Sequence, residues 1–112
     1  MNVDSIEQTR DKQCCAEAKV VEEVFANNEM LTIVGTKGAL GHSLGACGLV
    51  EFILLLQMLN RRLAPATVGL TDPIGSISAR FPGPRGRWLN GPYGVSVTLG
   101  FGGFNTALIA RA

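Results

Sequence analysis

Leu49 to Leu59 is apolar at every position except Glu51 and Gln57. Apolar side chains then surround most of the helical wheel, so the run predicts a helix buried on most sides rather than a surface helix with one apolar stripe. Arg61 and Arg62 follow it and face the negative end of the helix macrodipole. The run is much shorter than the ~20 residues a bilayer span needs, and its polar interruptions point the same way, so no membrane span is expected. Immediately upstream, Thr36-Lys-Gly-Ala-Leu-Gly-His-Ser-Leu-Gly-Ala-Cys-Gly48 holds the only histidine of the chain and four of its 14 glycines. A short β-like run, Leu31 to Val34, precedes that stretch, so the glycines read as a strand-to-helix loop with His42 just ahead of a helix N-terminus. Glycine allows positive φ and close backbone approach, and the helix end offers unpaired N–H groups, which is the local geometry of a site.

The remaining segments fit around this centre. Asp4 to Asn28 reads as an amphipathic helix in its second part, where Ala16, Val20, Val21, Val24 and Phe25 recur at helical spacing between Glu17, Lys19, Glu22 and Glu23. Leu31 to Gly35 predicts a central strand. Residues 64–94 are rich in proline, glycine and arginine with little periodicity, and are expected to be mainly loop. Val95 to Leu99 and Asn105 to Ala110 alternate well enough for two antiparallel strands around a Gly100-Phe-Gly-Gly turn. The 112 residues allow one small domain, with a modest core for a chain that is 46% hydrophobic, so a partner surface is expected. A net charge of +1 excludes the strong basic excess of a nucleic-acid binder. Three cysteines, Cys14, Cys15 and Cys47, match no metal spacing and no disulfide framework; reduced thiols and a cytoplasmic location fit them best. The opening residues, Met1 to Lys12, are charged and polar and are not expected to act as a signal peptide.

Thr36 to Gly48, followed by Leu-Val-Glu51, resembles the β-ketoacyl synthase signature T-K-x-x-x-G-H-x-x-G-A-x-G-x-x-E. A second block, Gly100-Phe-Gly-Gly-Phe-Asn105, resembles the closing G-F-G-G-x-N strand of the same family, in the same order and at a similar separation. The resemblance covers nearly the whole chain, against roughly the last quarter of a condensing enzyme. It implies an α/β C-terminal half-domain of the thiolase-like fold, with a mixed sheet and a buried apolar helix. It also implies decarboxylative condensation of a malonyl group with an acyl thioester, in fatty acid or polyketide synthesis. The substrates would be carried on the phosphopantetheine of an acyl carrier protein, with no other cofactor and no metal.

Site residues follow from the same match. A lone histidine is ordinarily structural, but the signature gives His42 the task of donating a hydrogen bond to a thioester carbonyl and to the enolate that forms on loss of CO2. Lys37 would ordinarily be a solvated loop charge. It lies five residues before His42 and fourteen before Glu51, as in the family, and a Lys37–Glu51 ion pair would relieve the cost of a carboxylate on an apolar helix. Leu99, Gly100, Phe101, Gly102, Gly103 and Asn105 are supporting positions. Leu99 stands where the family commonly has a phenylalanine gate whose backbone N–H completes an oxyanion hole, and Phe104 replaces the usual small residue.

Two parts of the family's machinery have no counterpart. The first catalytic histidine, carried by an H-G-T-x-T motif, would fall near Val3 to Glu7, with Asp11 and Glu17 approximating the Asp…Glu pair that follows it. No register supplies a histidine there. No cysteine lies in a D-x-A-C-S-S context; Cys47 reads as packing, while Cys14 and Cys15 have acidic neighbours that disfavour a thiolate. Two readings follow: the C-terminal piece of a β-ketoacyl synthase, inactive alone and completed by the N-terminal half or a copy of itself, or a non-catalytic ketosynthase-like module for assembly. Either is expected to be oligomeric.

Overall fold

The computed structural model describes residues 12–73, 75–99 and 103–112, with the side chains of 12–15, 76 and 99 also outside the description. Helix α1 (Lys12–Val24) is followed by the one-turn α2 (Lys37–Leu40), a 3-10 turn (Leu44–Ala46) and α3 (Cys47–Arg61). Strand β1 (Leu63–Ala64), a 3-10 helix (Gly75–Arg80), β2 (Arg87–Trp88), β3 (Tyr93–Leu99) and β4 (Asn105–Arg111) complete the order. The α and β elements are both present, but the expected mixed sheet is not. Among the described residues β1 pairs only with β2 and β3 only with β4, each antiparallel.

The reason lies in Leu31 to Gly35. This run, expected as a central strand, forms no ladder; its backbone N–H groups bond Leu31 to the Asn28 carbonyl at 3.3 Å, Ile33 to the Arg80 carbonyl at 2.9 Å and Gly35 to Thr67 Oγ1 at 3.0 Å. A strand requires a neighbour in hydrogen-bonding register. Between this run and β3 there is instead a cleft of about 320 Å³, with Leu31 and Val34 on one side and Leu55, Leu59 and Val95 on the other.

Two small apolar cores result. Ala18 and Val21 of α1 pack with Ile33 and Ile77, with Leu31 and Phe81 at the margin. The buried face of α1 is rotated from the expected one: Val21 is buried and Phe25 half-buried as expected, but Ala16, Val20 and Val24 are exposed, and Glu17 and Ala18 are buried in their place. The segment from Asp4 to Asp11 lies outside the described residues. Arg80 fastens the end of α1, donating to the carbonyls of Phe25 and Asn28, and Arg87 donates to those of Ala79, Arg80 and Phe81. The second core is α3 against the β3–β4 hairpin. Gly94 permits it, because a Cβ there would approach Leu55 Cδ1 to 2.6 Å and Leu59 Cδ1 to 3.2 Å.

Helix α3 extends past both ends of the apolar run. Residues Leu44–Arg61, counting the 3-10 turn, are long and apolar enough to cross a membrane by length and composition alone, which the eleven-residue run is not. The expectation of burial on most sides holds only in part, since Val50, Phe52, Leu54, Leu55, Leu56 and Met58 are half-buried and one stripe is open. Cys47, Glu51 and Leu59 are buried, but Leu49 is 65% and Ile53 49% exposed, because the described chain supplies one layer, the hairpin, to cover one face. Arg61 lies in the last turn, and Arg62 closes the helix in the left-handed region at φ 57°.

Candidate functional site

The signature loop leaves the first core at Gly35, whose N–H is held by Thr67, and turns through α2. Gly38 lies against the backbone of Val68 so closely that a Cβ would run into the Val68 carbonyl oxygen. Gly41 continues at φ 73°, a conformation suited to glycine. Beyond the loop, Gly48 in the first turn of α3 sits near the end of β3: a Cβ there would lie 3.5 Å from Thr98 Oγ1. The start of α3 and the end of β3 thus converge at Gly48 and Thr98.

Within the loop, His42 is exposed, and its Nδ1 accepts the Leu44 N–H at 2.9 Å. A backbone N–H can only donate, so Nδ1 carries no hydrogen in this arrangement and the neutral ring holds its proton on Nε2. The ring is left with one outward donor, Nε2–H. Leu44 itself adopts φ 52°, one of two non-glycine residues with positive φ among the described residues. Sequence reasoning did not single out Leu44; only the backbone path makes its N–H a site group. Cys47, read as packing, is buried and also faces the ring, with Sγ 3.6 Å from Nδ1.

Lys37 and Glu51 meet across the base of the loop, Nζ to Oε1 3.5 Å, with side chains 15% and 5% exposed. Oε1 has no hydrogen-bond partner besides this ionic contact. One end of the pair is on α2 and the other on α3, so the contact ties the two elements that flank His42. Of the supporting positions, Leu99 pairs with Asn105 at the end of the hairpin where β3 connects to β4, Asn105 and Gly103 are exposed, and Gly103 has φ 86°. Gly100, Phe101 and Gly102, together with the side chains of Leu99, Cys14 and Cys15, lie outside the described residues. No group of three or more potential metal ligands occurs among the described residues.

The family model described as "Beta-ketoacyl synthase, C-terminal domain" matches residues 12–71. The chain belongs to the β-ketoacyl synthase family. Among similar curated proteins, 3-oxoacyl-(acyl-carrier-protein) synthase 2 of Mycobacterium leprae is 36% identical over 93 residues, 83% of this chain and 22% of the relative. The mitochondrial 3-oxoacyl-(acyl-carrier-protein) synthase of Arabidopsis thaliana is 34% identical over 97 residues, 83% of this chain and 21% of its own length. The synthase 2 of Vibrio harveyi is 30% identical over 98 residues, 86% and 24% respectively. This β-ketoacyl synthase chain therefore spans less than a quarter of the curated relatives it matches. No solved structure matches it significantly.

Proposed function

We propose that the chain is the C-terminal piece of a β-ketoacyl-acyl-carrier-protein synthase, a half-domain of the thiolase-like fold that contributes a hydrogen-bond donor to decarboxylative condensation and is inactive alone. The observation that carries this reading is His42, whose Nδ1 is engaged by Leu44 N–H so that Nε2–H is the free donor. In the reaction, the bond between the malonyl α-carbon and its carboxylate breaks and CO2 leaves. The electron pair remains as a thioester enolate, whose oxygen accepts the Nε2–H bond. The enolate carbon then attacks the carbonyl of the acyl thioester, a carbon–carbon bond forms, and the sulfur of that thioester departs. Lys37, through Glu51, orients the loop and supplies local field rather than a proton.

The acylated cysteine and the second histidine donor have no place in this sequence, so the partners are the N-terminal half of a condensing enzyme and an acyl carrier protein bearing the substrates on phosphopantetheine. A cytoplasmic setting is part of the same reading. The purified chain with carrier-bound malonyl and acyl substrates is expected to yield no product. Combined with the N-terminal remainder of a related synthase it is expected to turn over, and His42→Ala in this chain to abolish that turnover. Product from the isolated chain that vanishes in His42→Ala would overturn inactivity alone. A stable but inert reconstituted pair would favour a second reading, a non-catalytic assembly module, for which the exposed Leu44, Leu49 and Ile53 speak.

A further inference from the structure

Cys47 opens α3 and is 7% exposed, yet its sulfur is engaged by polar groups on two sides. The Ser43 N–H donates to Sγ at 3.2 Å, and Sγ lies 3.6 Å from Nδ1 of His42. Nδ1 already accepts the Leu44 N–H at 2.9 Å and so has no hydrogen to give. In the thiol–imidazole contact the only group able to donate is the S–H, a weak donor that shares the single Nδ1 lone pair with Leu44 N–H in a three-centre bond. The Leu44 bond is exposed, so water competes with it, and Leu44 itself is 79% exposed. A cysteine that merely filled space would need neither polar neighbour.

Resting on the reading of His42 as an Nε2–H donor, we infer that Cys47 is a positioning residue: its thiol bridges Ser43 N–H and His42 Nδ1, and so holds the ring in the tautomer and orientation that leave Nε2–H free. The chain of contacts runs from backbone to sulfur to ring within the loop, and it does not pass through the Lys37–Glu51 pair. His42 and Cys47 are five residues apart and joined by a loop containing the positive-φ Leu44, so a small change at the sulfur is felt by the ring.

The test is the ring spectrum of His42, whose resonances need no assignment because it is the only histidine. In the uniformly nitrogen-labelled full chain, long-range proton–nitrogen correlations at a pH where the ring is neutral are expected to show Nε2 protonated and Nδ1 as acceptor. Cys47→Ser retains a donor and an acceptor and is expected to keep that pattern. Cys47→Ala is expected to raise the Nδ1-protonated fraction about threefold or more, the scale of one weak hydrogen bond lost. Cys47→Val, which restores volume without a donor, is expected to match alanine and serves if the alanine variant does not fold. A folded alanine or valine variant with the parent tautomer ratio, or a serine variant behaving like alanine, would overturn the inference. The spectrum is read without any condensation, so it stands apart from the activity assay on which the proposed function depends.

Discussion

The ionic contact between Lys37 and Glu51 is the one site relation that the spacing of residues makes legible in advance, since a carboxylate inside an apolar helix calls for a cation within reach. The hydrogen-bonded surroundings of His42 are not legible in the same way. They depend on the path of the backbone from His42 through Leu44 to Cys47, which no residue type along it announces. The pair gives a prediction at this scale. Glu51→Ala removes the carboxylate from the Lys37 contact and its volume from the helix face, and is expected to be the costlier change, at about 3–5 kcal/mol, the range for breaking a buried ion pair from one side. Glu51→Gln retains an acceptor for Lys37 and is expected to cost about 1–3 kcal/mol. Urea unfolding of the two variants decides between pairing and packing, because equal losses would assign the stabilisation to side-chain volume alone.

At the scale of elements, legibility tracks whether the information for an element is local. The β3–β4 hairpin is readable because alternation and the glycine turn are contained within it, and α3 because its apolar run fixes helical structure without help. Its burial is not readable, since that depends on how many layers the rest of the chain can offer. Leu31 to Gly35 has the composition of a strand and no strand neighbour, so composition predicts a ladder that the described chain does not form. This run is held instead by Thr67, whose hydroxyl accepts Gly35 N–H, by the Asn28 carbonyl, which accepts Leu31 N–H, and by Arg80, whose backbone carbonyl accepts Ile33 N–H while its guanidinium holds the carbonyls of Phe25 and Asn28 after α1. Arg80→Ala is accordingly expected to lower stability by about 1.5–3 kcal/mol, the range for hydrogen bonds to a charged donor, with the lower end favoured by its partial exposure. Arg80→Lys should recover less than half of that, because one ammonium cannot reproduce a two-pronged planar fork. Denaturant midpoints that fall with unchanged slope are the expected signature, and a lysine variant as stable as the parent would assign the effect to charge instead.

At the scale of the whole molecule, the described residues leave apolar surface open on more than one element. Helix α3 has the hairpin on one side and Leu49 and Ile53 open on another, while Leu108 and Ile109 of β4 and the adjoining Phe104 are also exposed. Apolar area left open on more than one element is characteristic of a surface awaiting a partner rather than of a finished monomer. The chain is therefore expected to associate, with a copy of itself when nothing else is present, and light scattering at micromolar concentration should report a mass above that of the 11.9 kDa chain together with binding of an apolar dye. Leu49→Lys with Ile53→Lys supplies the control. Both positions face solvent, so the charges cost the monomer little, yet they would have to be desolvated in any contact that buries this face of α3. The double variant is expected to keep its helical signal while its mass and dye binding fall. A parent chain that is already a monodisperse monomer, unfolding cooperatively and binding no dye, would refute the expectation and show that the exposed face of α3 is tolerated in water.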